Sequence, residues 1–447
     1  MTYLRTGLSL TATLALSVSY LPPAFAQEGP GFSGTLSLSQ GIELTDDDGS
    51  SGSTITSRTG VSFGARSVTR SETLTFGLGS EIVGEFGGGG DDEFDLENTR
   101  ARVEYLRRGA SSALSFSASY TEFNLEDTVI SSGPAFGIGT GTLIIDDGSA
   151  AVTRVDVGLE TGIDEPFGFE VRAGYFNEDF TDTIDPDLID NDAYYLDATA
   201  LFRIDPARTI RALAGFSRET ESAVDTDSFY VGAGLAGRTS GGLGFSGDVL
   251  FDRTEVGSST DDGVGIELSV TQERPNGEYE FVLSSRISED GRRTEASVSR
   301  SVTLPDGSLA FSLGIVDQEG DSSLRPLASV AYERLTRSGA LTASVSQSPS
   351  VDGAEYYSNT DISVGYRDQI NDLSGWSAGL SYSAANQLGG TDDDDRATAT
   401  IAYTRTLAQD WEMSTGLSHV RESSGGGATE SSNTVFFNIQ RDITFGF

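Results

Sequence analysis

Apolar and polar residues alternate along most of the chain after residue 30. In the first such segment the even-numbered positions from Phe32 to Leu44 are mostly apolar, and the positions between them are mostly small or polar. A period of two predicts a β-strand with one apolar and one polar face. The segments run for about 10 to 14 residues, which is longer than strands of soluble sheets and fits tilted strands that cross a bilayer.

The alternating segments recur to the end of the chain, and turn-forming residues separate them. Counting them gives about 22 strands, or about 18 to 22 if weak neighbours merge into one strand. Bacterial single-chain barrels have an even number of antiparallel strands. The pattern therefore predicts an all-β fold, namely a transmembrane, antiparallel, up-and-down β-barrel of about 18–22 strands.

The N-terminal segment 1–26 is typical of a secretory signal peptide. Arg5 precedes an apolar stretch, and Ala24-Phe25-Ala26 is a small-residue cleavage site before Gln27. The apolar stretch is shorter than the ~20 residues of a spanning helix. We predict cleavage between Ala26 and Gln27 and a barrel over 27–447. Because the first predicted strand begins soon after Gln27, we expect a barrel with no plug domain.

The connections between the predicted strands fall into two classes of opposite composition. Eleven alternate connections hold 38 acidic residues and only two basic ones, Arg292 and Arg293. The ten others are mostly short and hold 9 acidic residues and 10 arginines. Outer-membrane barrels have long extracellular loops and short periplasmic turns. The sequence thus predicts an acidic extracellular rim that attracts cations.

Composition removes several classes of function. The net charge is −39, the chain has no Cys, and His419 is its one histidine. The negative charge excludes binding to nucleic acid, and the lack of Cys excludes disulfides and thiolate chemistry. His419 falls on the predicted lipid-facing side of its strand, without a nucleophile motif nearby. We therefore predict that the protein is not an enzyme.

The last strand carries alternating apolar residues and ends on an aromatic one. Phe445 and Phe447 are its final two apolar positions, whereas Arg441 interrupts the alternation. Here the chain resembles bacterial outer-membrane β-barrels, and the resemblance implies a location in the bacterial outer membrane, surrounded by outer-membrane lipid. The resemblance implies that Phe445 and Phe447 form the signal that the barrel assembly machinery recognises.

The inner wall of the predicted barrel is the natural place for function. The alternation of faces along each strand assigns small residues and charges of both signs to this wall. The candidate lumen-facing arginines are Arg100, Arg102, Arg154, Arg172, Arg211 and Arg286. Such a wall suits a water-filled lumen for small hydrophilic solutes. The expected function is a porin-like passive diffusion channel with a cation-attracting mouth. The alternative is a non-conducting structural, adhesion or polysaccharide-associated barrel.

The longest extracellular connection, 126–149, follows the fifth predicted strand. General porins resemble this arrangement because they fold the loop after strand five into the pore. Their loop often contains Pro-Glu-Phe-Gly, and Pro134-Ala135-Phe136-Gly137 stands in the corresponding place. The resemblance implies a constriction formed by Pro134, Phe136 and Gly137.

One acidic connection offers a divalent cation site. Asp182, Asp185, Asp187 and Asp190 lie within nine residues. Calcium and magnesium bind several carboxylate oxygens at once. We expect no other cofactor, and Ca²⁺ or Mg²⁺ here could bridge the rim to anionic lipopolysaccharide. No residue pattern in the chain indicates an oligomeric state.

Overall fold

The computed structural model describes residues 31–47, 53–87, 93–125, 148–183, 189–221, 224–288, 291–320, 323–352, 355–387, 393–408, 410–423 and 429–446. These residues form 22 β-strands. The strands are β1 (Gly31–Asp47), β2 (Thr54–Val68), β3 (Glu72–Gly87), β4 (Glu93–Arg108), β5 (Ser112–Asn124), β6 (Ser149–Thr161), β7 (Phe167–Thr181), β8 (Asn191–Asp205), β9 (Arg208–Glu221), β10 (Val224–Arg238), β11 (Leu243–Val256), β12 (Ser259–Arg274), β13 (Gly277–Ser288), β14 (Gly291–Leu304), β15 (Gly307–Gln318), β16 (Arg325–Leu335), β17 (Gly339–Asp352), β18 (Glu355–Asn371), β19 (Ser374–Gln387), β20 (Asp393–Ala408), β21 (Trp411–Ser423) and β22 (Glu430–Gly446).

Each strand pairs antiparallel with the next one along the chain, and the ring closes between β1 and β22. The closing register runs from Ser33 opposite Gly446 to Asp47 opposite Ser432. A closed ring leaves no free strand edge, so every strand can hydrogen-bond on both sides inside a bilayer. The strand number agrees with the upper end of the predicted range. Among the described residues, no helix is long and apolar enough to cross a membrane.

The register sorts the side chains into two faces. Residues directly opposite each other on paired strands share a face, as Leu36, Phe63 and Leu78 do across the first three strands. Large apolar side chains stand exposed on the outward face around the ring, for example Ile42, Leu78, Leu196, Val249, Leu313, Leu380 and Leu417. Exposure of an apolar surface of this extent to water is unfavourable, so this face is the lipid-contacting surface.

The two ends of the barrel differ in their connections. We call the end with both ends of the described chain and the ten short connections the turn end, and the opposite end the loop end. At the turn end, a two-residue connection, Pro275-Asn276, joins β12 to β13. Gly277 follows with φ of 138°, and a Cβ there would collide with the Ser301 carbonyl oxygen. Such close turns hold neighbouring strands in one register.

Arg441 faces lipid without disturbing the alternation of β22. It pairs in register with Trp411 and Leu38, and its guanidinium carbon lies 5.4 Å from the Trp411 ring centre. Trp411 is the first residue of β21, so the pair lies near the turn end. An arginine can lie at this depth in the membrane because its guanidinium reaches the membrane–water interface while its aliphatic part stays among apolar groups.

Phe445 lies at the seam that closes the barrel. Its ring centre is 6.3 Å from that of Phe32 and 6.2 Å from that of Phe63, and its ring lies against Gly34. The rings come from β22, β1 and β2, so they fasten the last strand to the first two. Phe447, the other residue of the predicted assembly signal, lies outside the described residues, as do Ala26 and Gln27.

We expect Phe445→Ala to destabilise barrel closure by about 1–2 kcal/mol, because the substitution removes two aromatic contacts across the seam. The folded fraction after refolding into detergent micelles, read from the mobility of unheated protein in gels, should fall. Phe437→Ala is the control, because Phe437 is also outward on β22 but contacts no described aromatic ring. Equal folded fractions for the two variants would contradict a special role for the seam.

Candidate functional site

The inner face of the barrel divides into two arcs of different chemistry. The inward side chains of β6 to β13, which we call the charged arc, include Asp, Glu, Arg and Tyr in mutual contact. The inward side chains of β15 to β21, which we call the hydroxyl arc, are mostly Ser, Thr, Gly and Ala. The charged arc therefore lines one side of the lumen with long side chains, and the hydroxyl arc lines another side mostly with short ones.

Arg286 is the centre of the charged arc. Its guanidinium donates to Asp252, 2.8 Å away, and to Glu267, 2.6 Å away, and it lies 5.1 Å from the ring centre of Tyr230. The Asp252 side chain is only 3% exposed and that of Arg286 is 16% exposed. Two carboxylates and an aromatic ring therefore hold one guanidinium in a fixed orientation.

A second ion pair lies beside the first. The Arg211 guanidinium donates to both oxygens of Asp248 at 2.7 and 2.8 Å, and also to the Ser246 hydroxyl at 2.5 Å. The pair spans β9 to β11 and passes over Gly234, where a Cβ would collide with the Asp248 carboxylate. Asp248 stands directly opposite Glu267, so Arg211 and Arg286 together pair with three neighbouring carboxylates, those of Asp248, Glu267 and Asp252.

Tyrosines extend the network through a repeated three-strand arrangement. The Tyr195 hydroxyl on β8 donates to Asp156 on β6 at 2.9 Å, and its ring lies across Gly174 on β7. Each aspartate, glycine and tyrosine of such a unit stands in direct register. Glycine is required in the middle because the ring occupies the space of a Cβ.

The second unit follows one hairpin later. The Tyr230 hydroxyl on β10 donates to Asp197 on β8 at 2.7 Å, across Gly215 on β9. Tyr230 is 8% exposed and packs with the buried side chains of Leu213 and Leu250. The charged arc is thus a packed, hydrogen-bonded wall rather than a set of solvated side chains.

The structure places all six predicted arginines on the inner face, with different partners. Arg211 and Arg286 belong to the ion pairs above. Arg172 pairs with Glu170, and Arg102 pairs with Glu104, each two residues away on its own strand. Arg154 lies 5.5 Å from the Phe176 ring centre, and Arg100 lies against Gly79. The arginines therefore line one continuous stretch of wall, and they do not converge on one point.

The hydroxyl arc is held by short side-chain hydrogen bonds between neighbouring strands. Ser312 and Ser329 are 2.7 Å apart, as are Ser344 and Ser363. Farther round, Thr400 and Ser418 are 3.2 Å apart. Most side chains of this arc are short and uncharged, and its charged ones include Asp361, which accepts a hydrogen bond from Ser383, and the Arg396–Glu422 ion pair. Its hydroxyl groups can accept hydrogen bonds from a polar partner and donate hydrogen bonds to it.

The remaining predicted sites are the constriction loop and the divalent cation site. Pro134, Phe136 and Gly137 lie outside the described residues, as do Asp185 and Asp187. Asp190 accepts a hydrogen bond from the Phe180 amide at 2.8 Å, and Asp182 has φ of 60°. The described residues contain no group of three metal-binding side chains. His419 is outward, 3.0 Å from Asn433, and stands away from the lumen.

Sequence reasoning missed the tyrosines and Asp252. Alternation assigned charges to the inner face, but it carried no information on which residues meet across strands. The signal that could have found the two units is the recurrence of inward glycine between strands bearing Asp and Tyr. Chemically, the wall can orient a polar or charged surface lying against it, because ion pairs and hydrogen bonds hold its own side chains in place.

No family model matches the sequence, and no curated protein matches it. Solved structures of similar fold are bacterial outer-membrane receptors. The FrpB iron transporter from Neisseria meningitidis has a TM-score of 0.60 at 8% identity, with 93% of this chain and 83% of that chain covered. A mutant of the ferric enterobactin receptor from Pseudomonas aeruginosa, in complex with enterobactin, has a TM-score of 0.58 at 10% identity, covering 94% and 82%. The ferric-catecholate import receptor Fiu from E. coli K12 has a TM-score of 0.57 at 9% identity, covering 93% and 82%.

These similarities overturn the predicted porin-like diffusion channel. The neighbours are siderophore receptors and iron transporters, which are not passive pores. The strand number also argues against a porin, because porins have 16 to 18 strands and this barrel has 22. The prediction of a channel failed because a polar inner wall suits a filled lumen as well as an open one.

The expectation of a barrel with no plug domain is also wrong for this class. Outer-membrane transporters with 22 strands hold a plug in the lumen, and the neighbours are of that class. A ring of 22 strands is roughly 40 Å across, which is too wide for its own side chains to fill. The short distance between Gln27 and the first strand does not determine what occupies such a lumen.

Three observations converge: a closed antiparallel ring, an outward apolar face, and structural neighbours that include bacterial outer-membrane receptors. In the closed ring every strand is hydrogen-bonded to a neighbour on both edges, which the interior of a bilayer requires. The chain is therefore a 22-strand β-barrel of the bacterial outer-membrane type, and its location is the outer membrane.

Proposed function

We propose that the protein is an outer-membrane receptor barrel that imports a small metal chelate. The observation that carries the proposal is the closed 22-strand ring, which aligns over more than nine-tenths of its length with siderophore and iron receptors. The packed charged arc supports it, because a wall whose side chains are held by ion pairs and hydrogen bonds offers a rigid surface for a partner or solute inside the lumen.

The charge of the loop end favours a chelate that is cationic or neutral. The eleven segments predicted as connections at this end, which include the adjoining strand ends, carry 38 acidic residues against two arginines. Such a rim concentrates positive solutes and repels negative ones within a Debye length of ~8 Å at physiological salt. We therefore expect discrimination against anionic ferric catecholates.

The test is uptake of radioactive iron by cells that lack their own siderophore receptors and express this protein. We expect uptake from a cationic ferric trihydroxamate, at least tenfold above uptake from an anionic ferric tricatecholate. An uncoupler that collapses the proton gradient should abolish this uptake, because a receptor depends on energy and a pore does not. Uptake that persists with the uncoupler, or uptake of neither chelate, would contradict the proposal.

A further inference from the structure

A groove opens on the outward face at the turn end, where β18, β19 and β20 meet. Its volume is about 480 Å³. The residues that line it are Asn371, Asp372, Leu373, Ser374, Tyr403 and Arg405. Ser374 stands directly opposite Arg405, and Tyr403 stands opposite Trp376, so the groove belongs to the lipid-facing side of the wall and not to the lumen.

The groove carries one positive and one negative group that do not bind each other. Arg405 and Asp372 are both exposed. Within the described part of the chain, neither side chain has a hydrogen bond or an ion pair. Asp368, which stands opposite Trp376 on the same outward face, adds a second carboxylate close by. With Asp368 the groove has one guanidinium and two carboxylates, and it can bind opposite charges at neighbouring positions.

The surroundings place the groove at the level of lipid headgroups. Ile370, Leu373 and Leu407 are 58%, 56% and 49% exposed beside it, so apolar side chains extend to the rim here. Both tryptophans of the chain lie in this part of the wall. Trp376 is 5.2 Å from Tyr366 between ring centres, and Trp411 lies near Arg441. Aromatic residues of this kind gather at the membrane–water interface.

We propose that the groove binds the headgroup of a zwitterionic aminophospholipid in the periplasmic leaflet. Such a headgroup holds a phosphate and a primary ammonium a few bonds apart. Guanidinium groups bind phosphate through charge-assisted hydrogen bonds, which assigns the phosphate to Arg405. The ammonium is then bound by Asp372, and the exposed apolar residues contact the acyl chains. A purely anionic headgroup fits less well, because Asp372 and Asp368 would repel it.

Tryptophan fluorescence tests this directly, because both tryptophans are close to the groove. The full-length protein is refolded into vesicles of neutral lipid that contain a small fraction of lipid with brominated acyl chains. We expect brominated phosphatidylethanolamine to quench the fluorescence at least twofold more than the same fraction of brominated phosphatidylglycerol. In the double variant Arg405→Gln, Asp372→Asn, the two brominated lipids should quench the fluorescence equally.

Arg300→Gln is the matched control, because Arg300 also lies outward at the turn end, 4.4 Å from the Tyr279 ring centre, but outside the groove. It should keep the preference for phosphatidylethanolamine. Asp372→Asn alone, a change in an exposed turn, serves if the double variant fails to fold. Equal quenching by the two lipids in the unaltered protein, stronger quenching by phosphatidylglycerol, or a preference that survives both groove variants would overturn the proposal.

Discussion

Replacing Arg211 by methionine is expected to destabilise the barrel by about 3–5 kcal/mol, because it leaves the buried Asp248 carboxylate without its partner. The Asp248 side chain is only 5% exposed, and it stands directly opposite Glu267. Removing the guanidinium therefore leaves Asp248 unpaired beside Glu267, while Arg286 stays bound to Glu267 and Asp252. The measurement is denaturant unfolding in detergent micelles, followed by circular dichroism, and the midpoint should fall while the slope stays constant.

Two further variants identify the cause. Adding Asp248→Asn to Arg211→Met should recover most of the lost stability, since no unpaired charge then remains. Arg208→Met removes an arginine that pairs with Asp205 at the turn end, where the arginine side chain is 59% exposed. An exposed pair contributes less than about 1 kcal/mol. A similar loss from Arg208→Met, or no recovery in the double variant, would show that burial of the charge is not the cause.

Replacing Gly215 by alanine is expected to destabilise the barrel by about 2–4 kcal/mol, through overpacking and a lost hydrogen bond to a charged group. A Cβ at this position collides with the Tyr230 ring and the Asp197 carboxylate. The ring must move, which breaks its 2.7 Å hydrogen bond to Asp197. The same unfolding measurement checks the expectation.

Gly77→Ala is the control for the substitution itself. Gly77 is inward on β3, and a Cβ there meets no heavy atom within 4 Å. Alanine should be neutral or stabilising at this position by up to about 1 kcal/mol. If Gly77→Ala and Gly215→Ala change stability alike, the tyrosine contact is not what makes glycine necessary.

Much of the fold follows from alternation alone, because one face of each strand must contact lipid. The strand count and the two classes of connection could be obtained this way. The pattern was less informative where lipid-facing residues are not apolar. On β17 the outward apolar alternation ends at Val345, whereas the strand extends to Asp352, since Gln347 and Pro349 occupy its next outward positions.

The contacts of the inner wall could not be predicted in the same way. Asp156 and Tyr195 are 39 residues apart, and their meeting depends on the register of three strands. Register is fixed by hydrogen bonding and close turns and not by local hydrophobicity. Arg441 illustrates the reverse case, because it broke the sequence pattern but leaves the register intact at its place beside Trp411. The function was mistaken because polarity of a wall does not tell whether the lumen is open.

The repeated aspartate, glycine and tyrosine units make part of the barrel modular. The second unit begins on β8, the strand on which the first one ends, and each unit advances the wall by one hairpin. A shortened ring that joined β7 directly to β10 would bring Tyr230 against Gly174 and within reach of Asp156. The circumference of the barrel can thus change by two strands at this place while the contact is kept, which is a route by which gain or loss of a hairpin could resize the ring during evolution.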